Sequence, residues 1–596
     1  MAIRLIDTTT LCLTYFLGNI PRYAVLSHTW GADEISFQDM MAIGTSDSPA
    51  VAETFGYHKI VGACRLARGR GIGYVWVDTC CIDKTSSSEL SEAINSMYRW
   101  YWDAEVRFAL LPDFDPDLLS REVALSRCRW FTRGWCLQEL IAPETVELYD
   151  GGWNRIGVKA EMTTLLSRIT RIDERVLLDR EAIASVPLGR RMSWAAARKT
   201  TRQEDTAYCL LGIFGVNMPM LYREGSRAFL RLQEEIIKST NDLSLFACDP
   251  YSLMGPRDED EDETDEGAPT QRARDNDTPP EGSYCDLFAR SPEAFAGCGA
   301  LAGTGSNFRW NDAFSLTNRG LHFPRVKLRI EPSRGCYLLP LNCTLPGKSR
   351  RSAAVPQMML LRKVGPHLFV KYFETAQKQG TDDDVFPEAQ DVEIEEVYII
   401  TDFWSSSHTL QGRLVFADQY AIRIISSQGY QLSKTLQAFQ RVPSSSRWDV
   451  ARSQLLTSGE SHIQGFWKLF PNLARPIVGA AQGFVPGNLK RATPCLLICG
   501  IGPSGKSSTP RAWVRLCSLS EWKLLEAEFG ISITNGNDYA SPLDTGKTMD
   551  HITVNTASGD PPLLVTARIR LEQVKVPRYF TLEIAFDGPR TDGTHS

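Results

Sequence analysis

Three short stretches of this 596-residue chain bring together side chains that could do chemistry. Ser27, His28, Thr29, Trp30 and Gly31 follow the apolar run that starts at Tyr23. Asp78, Thr79, Cys80, Cys81, Asp83 and Lys84 lie within and just after the run Tyr74–Ile82. Arg133, Trp135 and Glu139 fall in RGWCLQEL. Each group admits a functional and a plain reading. A serine beside a histidine suggests a hydrolase, but neighbours on a strand face opposite ways, and no G-x-S-x-G elbow occurs. Adjacent cysteines suggest redox chemistry, yet a vicinal disulfide is strained, so core thiols are expected. Tryptophans either pack or offer a stacking platform. Glu139 is either a surface carboxylate or a catalytic one.

A fourth stretch matches a known pattern letter for letter. Gly500, Gly505, Lys506 and Ser507 fit G-x-x-x-x-G-K-[ST], the phosphate-cradling loop. Such a loop must open a helix, whose backbone N–H groups hold the phosphates. Here Pro510 follows Lys506 by four residues and RAWVRLCSL behind it alternates like a strand. Only 89 residues follow Ser507, too few for the remaining units of a nucleotide fold. We read Gly500–Ser508 as a hairpin loop, and ATP is not expected there.

The elements that must position the first three groups are legible as strand, helix, strand, helix, strand, helix, strand. The strands are Tyr23–Ser27, Tyr74–Ile82, Val106–Pro112 and Thr145–Asp150; the helices are Lys59–Gly71, Ser88–Glu105 and Trp135–Ala142. This alternation predicts an α/β domain: right-handed crossovers, a parallel sheet and helices on both faces. Ligands of such sheets bind beyond the carboxyl ends of the strands. Ser27–Gly31, Asp78–Lys84, Asp113 and the Arg133–Glu139 segment therefore converge on one rim. A helical block follows from about residue 192 to 240, ending in the amphipathic SRAFLRLQEEIIKST.

The rest divides by composition. Arg257–Ser283 is dense in acidic residues and nearly free of large apolar ones, which marks a solvated linker, drawn here over residues 251–283. Residues 284–596 read as short alternating runs broken by Gly, Pro and Ser, a mainly antiparallel β domain. Residues 1–250 form the first unit, with its α/β core over about 20–150 and its helical extension over about 190–245. No motif in the β-rich half assigns a role, so recognition or regulation is its default.

Composition excludes several classes. A net charge of −6 advertises neither nucleic acid nor an anionic membrane as partner. No apolar stretch reaches the ~18 residues of a membrane helix, and no basic-then-apolar leader opens the chain. The 15 cysteines and 8 histidines are scattered without a C-x-x-C, so no metal site is expected and reduced thiols in a cytoplasmic protein are.

The segments YAVLSHTWG, WVDTCCIDKTSSSELSEAINSMYRWY, RWFTRGWCLQELIAP and RMSWAAARKTTRQEDTAYCLLGIFGVNMPMLY closely resemble the fungal heterokaryon incompatibility (HET) domain, over about residues 4–247. One departure is LYREG, where Arg223 stands in place of the family's usual glycine. The resemblance implies a role in non-self recognition and programmed cell death, with self-association and other incompatibility proteins as partners. It also implies a distant likeness to TIR domains, many of which cleave NAD through a glutamate in a helix after the third strand. That glutamate falls on Glu139, whereas the serine that TIR domains often carry nearby is replaced by Arg133 or Gly134. On this reading NAD is the substrate. Trp30 or Trp135 would stack on a base or on nicotinamide, and Ser27, Thr29 or Arg133 would bind phosphate or ribose oxygens. The competing reading is a non-enzymatic module that kills by assembly; there Glu139 is structural.

Overall fold

The computed structural model describes residues 2–43, 53–115, 117, 120–248, 283–304, 313–331, 336–347, 353–365, 367–373 and 390–401. Beyond 401 it describes the backbone of nine strands. The N-terminal sheet contains β1 (Ala2–Asp7), β2 (Leu13–Leu17), β3 (Tyr23–His28), β4 (Tyr74–Val77), β5 (Val106–Leu111), β6 (Val146–Asp150) and β7 (Arg155–Val158), in the order β2-β1-β4-β3-β5-β6-β7. The four inner strands are parallel, as the alternation predicted. The edges correct the purely parallel expectation: β1 runs antiparallel to β4, β2 to β1, and β7 to β6. These edge strands escape sequence reading because each joins the sheet through a short hairpin or backbone edge rather than a helical crossover.

Burial explains why the inner strands form. Every residue of β3 and β5 is buried, and parallel strands covered on both faces need such continuous apolar runs. Along β5 the side chains alternate between faces. Phe108 and Leu110 join an apolar cluster with Ile60, Ala63 and Ala67 of the helix Phe55–Gly69. Ala109 and Leu111 join another with Leu137 and Leu140 of the helix Cys136–Ile141. Helices thus cover both faces. Local signals start them: Thr54 Oγ1 accepts from the Tyr57 amide at 3.2 Å, and Ser86 Oγ from the Glu89 amide at 3.3 Å.

Among the parallel strands the chain order is second, first, third, fourth, so successive crossovers leave β3 in opposite directions. That reversal falls between β3 and β5, and doubly wound sheets bind ligands at the carboxyl ends of the strands at such a point.

The helical block includes helices Leu188–Ser193, Asp205–Tyr208, Leu211–Phe214 and Arg227–Ser239. Beyond it, strands Gly320–Glu331, Cys336–Leu345, Val355–Gly365, Leu368–Phe373 and Gln390–Ile399 pair in a closed ring, a five-stranded barrel. All of its pairings are antiparallel except that of Leu368–Phe369 with Tyr398–Ile399. One apolar cluster runs without a break from the helical block into the barrel. Gln233 fastens the helical block to the segment that precedes the barrel, its side chain donating to the Ala289 carbonyl at 2.7 Å and accepting from the Ala289 amide at 3.0 Å. The acidic stretch read as a linker lies almost wholly outside the described residues. Past residue 401 the strands form a six-stranded and a three-stranded sheet.

Candidate functional site

Two sequence-predicted residues meet in the buried layer beneath the carboxyl ends of the strands. Ser27, at the end of β3, donates its hydroxyl proton to Glu139 Oε2. Trp130 Nε1 donates to Ser27 Oγ at 2.7 Å, and Tyr101 donates to Glu139 Oε1 at 3.2 Å. Beneath them Arg107 of β5 is fully buried. Its guanidinium lies 3.8 Å from the centre of the Tyr101 ring and donates to the Glu139 carbonyl. Among the described residues its Nε and Nη2 have no hydrogen-bond partner. Glu139 itself is only 5% exposed. Burial pushes its carboxyl above the usual glutamate range, against the opposing pull of Arg107. The result is a dry carboxyl whose two oxygens are both engaged.

A second group lies on the outer side of the same rim. His28 Nε2 is 3.1 Å from Glu34 Oε2, while its buried Nδ1 has no partner among the described residues. Glu34 also takes the Lys59 ammonium and, at 2.7 Å, the Gly31 amide. Burial raises the Glu34 carboxyl, but the bonds from His28 and Lys59 outweigh it and hold it at about 2. The buried Thr29 offers its carbonyl to Lys59 Nζ at 3.5 Å. Trp30 is 43% exposed; its Nε1 donates to Asp78 Oδ2 at 2.9 Å, and Lys84 Nζ lies 3.8 Å from its ring centre. Asp83 binds the Gln38 amide at 2.9 Å and caps its own turn through Thr85. Trp30, Glu34, Phe37, Gln38, Thr79 and Lys84 line part of a cavity of about 110 Å³.

Ser27, His28, Thr29, Trp30, Gly31, Asp78 and Glu139 are thus brought together, with Asp83 at the margin. Arg133 and Trp135 are not. Arg133 donates to Thr201 Oγ1 at 3.0 Å and Trp135 bonds Asp205, so both face the helical block. The reason is local: Gly134 packs against Thr200 and Cys209, which turns this segment toward that block before its helix begins. Ser27 and His28 go to separate partners, as strand neighbours must, so no Ser–His pair forms. Cys80 and Cys81 are buried free thiols.

Sequence reasoning missed Glu34, Lys59, Tyr101, Arg107 and Trp130. Glu34, six residues past His28, was within reach of the rim argument. Arg107 was not, because VRFALL gives no sign that its one cation turns inward. Among the described residues no group of three or more His, Cys, Asp or Glu side chains could hold a metal ion, and no helix is long and apolar enough to cross a membrane.

Residues 23–124 match the family described as heterokaryon incompatibility protein (HET). Residues 227–309 match a domain of unknown function, DUF8212, which spans the acidic segment. Vegetative incompatibility protein HET-E-1 of Podospora anserina is 43% identical over 243 residues, which cover 39% of this chain and 17% of that protein. No solved structure matches. The N-terminal part of the chain thus carries a heterokaryon incompatibility (HET) domain.

Proposed function

We propose that this chain is an effector of non-self recognition that brings about programmed cell death, and that its HET domain cleaves NAD at the nicotinamide–ribose bond. The observation that carries the chemistry is the Ser27–Glu139 hydrogen bond beneath the carboxyl ends of the strands. Cleavage of an N-glycosidic bond builds positive charge on the ribose, and a fixed carboxylate in a water-poor site stabilises such charge strongly. Glu139 takes that role, Ser27 holds the carboxylate in place, and the exposed Trp30 face with Asp78 receives the ring and hydroxyls of the dinucleotide. Water completes the reaction, giving nicotinamide, ADP-ribose and a proton. The TIR-like assignment of the domain belongs to this reading and draws support from the order of its parallel strands. So does action in the cytoplasm, where NAD is abundant.

A second reading has its own observation. Both Glu139 oxygens are already bonded and its side chain is enclosed, as a structural keystone would be. On that reading the domain kills by self-association or by engaging other incompatibility proteins, and the β-rich half recruits or senses. Nicotinamide release by the purified full chain, compared with Glu139→Gln of verified fold, separates the two. Release lost in the variant supports catalysis. Cell death on expression of the full chain with cellular NAD unchanged would leave assembly as the mechanism.

A further inference from the structure

The two edges of the N-terminal sheet are finished differently. At one end β7 opens on the exposed Arg155, which faces Glu161 at 3.9 Å. Charge of this kind keeps an open edge from pairing with another chain. At the other end β2 has no such guard. It reads Leu13, Thr14, Tyr15, Phe16, Leu17, and no charged residue occurs between Asp7 and Arg22. Phe16 packs edge-on against Tyr74, their ring centres 5.1 Å apart, and ties the strand to the fold. Tyr15 and Leu17 instead face solvent, 60% and 80% exposed.

The free backbone groups belong to the same face. The Asp7 amide donates to the Cys12 carbonyl at 2.9 Å, one step beyond the register pair Ile6 and Leu13. Antiparallel ladders alternate, so Thr14 and Phe16 spend their amides and carbonyls on β1, whereas those of Leu13, Tyr15 and Leu17 point off the sheet. Among the described residues β2 pairs with β1 alone. A two-fold axis through Tyr15, the middle of the strand, lays β2 antiparallel on its own copy. Leu13 then meets Leu17, Tyr15 meets Tyr15, and outward amides face outward carbonyls at each of these pairs. A register shifted either way keeps fewer of them.

Charge decides the occupant. A two-fold pairing sets the strand against itself, so a charged strand repels its copy and an uncharged one does not. Arg4, whose guanidinium lies 6.0 Å from the Tyr15 ring centre, is already neutralised by Glu89 at 2.7 Å. Leu13, Tyr15 and Leu17 share one face of the strand, so the same pairing covers the exposed apolar side chains. We propose that β2 is the surface on which a second copy of this chain docks, joining two N-terminal sheets into one through antiparallel edge strands. The pairing gives the self-association of the assembly reading its surface, and rests on that reading only for what the dimer does in the cell.

The test measures the mass of the full chain by sedimentation velocity from about 1 to about 100 μM. The natural chain is expected to pass from one copy to two as its concentration rises. Tyr15→Lys and Tyr15→Glu each set like charges face to face and should weaken the dimer at least about tenfold. Circular dichroism and the unfolding midpoint check that each variant is folded. Mixed in equal amounts, the two variants set opposite charges face to face and should recover most of the lost affinity. Pairing on any other surface gives no such rescue. A natural chain that stays single at every concentration, variants that dimerise as it does, or a mixture no tighter than its components would each overturn the proposal. Cell death that persists in a monomeric Tyr15→Lys chain counts against assembly as the killing mechanism and leaves the docking surface standing.

Discussion

Ser27 and Glu139 stand 112 residues apart in the chain, yet the hydroxyl of one bonds the carboxyl of the other inside the interface between sheet and helix. Ser27→Ala leaves the Trp130 indole N–H and a Glu139 oxygen unpaired in a dry interior, a cost of about 3 kcal/mol. Glu139→Gln preserves shape and keeps the backbone carbonyl that accepts from Arg107, but removes the carboxylate whose charge acts most strongly on that buried guanidinium, with a loss of similar size, about 3 kcal/mol. The pH response tells the two apart. Glu139 binds its proton more tightly folded than unfolded, so the native state holds the extra proton and stability falls as pH climbs from the ordinary glutamate value of 4.5 toward the raised folded one. Urea midpoints measured across that range should decline in the natural chain and in Ser27→Ala. In Glu139→Gln this contribution should be absent.

Glu34 gives the opposite slope. Its carboxyl is held at about 2 against an ordinary 4.5, so the unfolded chain binds the proton first. The stabilisation is complete above 4.5 and drains away as pH falls toward 2. After discounting for the part of the side chain that meets water, it amounts to about 2 kcal/mol. Glu34→Gln should lower the unfolding free energy at neutral pH by that amount and flatten acid unfolding between those two pH values. It should also free Lys59 and loosen the loop that carries Trp30.

Much of this arrangement was legible in advance, for definite reasons. The inner strands announce themselves because burial on both faces demands unbroken apolar runs, as in Val106–Leu111, and the intervening helices carry a 3.6-residue stripe. Strand order then places Ser27 at the carboxyl ends of the strands. What stayed hidden is whatever depends on a side chain breaking its local pattern. Arg107 reads as the polar position of a strand yet turns into the core. Arg133 and Trp135 lie beside Glu139 in sequence, but Gly134 sends them toward Thr201 and Asp205. β1 and β2 were unread because a hairpin at a sheet edge lacks the helix that marks a crossover.

Arg223, at the departure within the incompatibility motifs, adopts a backbone conformation that favours glycine. Its φ is 79°, in the left-handed region, and its amide donates to Glu204 Oε1 at 2.6 Å. An L-residue there is strained by about 1 kcal/mol, while glycine is not. Arg223→Gly should therefore leave the Glu204 bond intact. It should hold thermal stability level or raise it by up to about 1 kcal/mol, even though glycine also frees the unfolded chain. A marked loss of stability in calorimetry would mean that the arginine side chain makes a contact outweighing its backbone strain.

The stretch with the phosphate-loop pattern runs as two antiparallel strands, Cys495–Ser504 and Ser507–Ser518, with Ser504 paired to Ser507. Gly505 and Lys506 lie outside the described residues. A phosphate cradle needs its serine at the start of a helix, where successive amides point at one anion and the helix dipole adds to their pull. Ser507 instead begins a strand, whose amides alternate in direction and whose dipoles largely cancel. Its lysine alone would give only a weak, salt-screened attraction for triphosphate. Equilibrium dialysis of the full chain with magnesium and ATP should accordingly show no saturable uptake at physiological salt, and Lys506→Ala should change nothing. Saturable binding that this variant abolishes would demand a different structure for the segment.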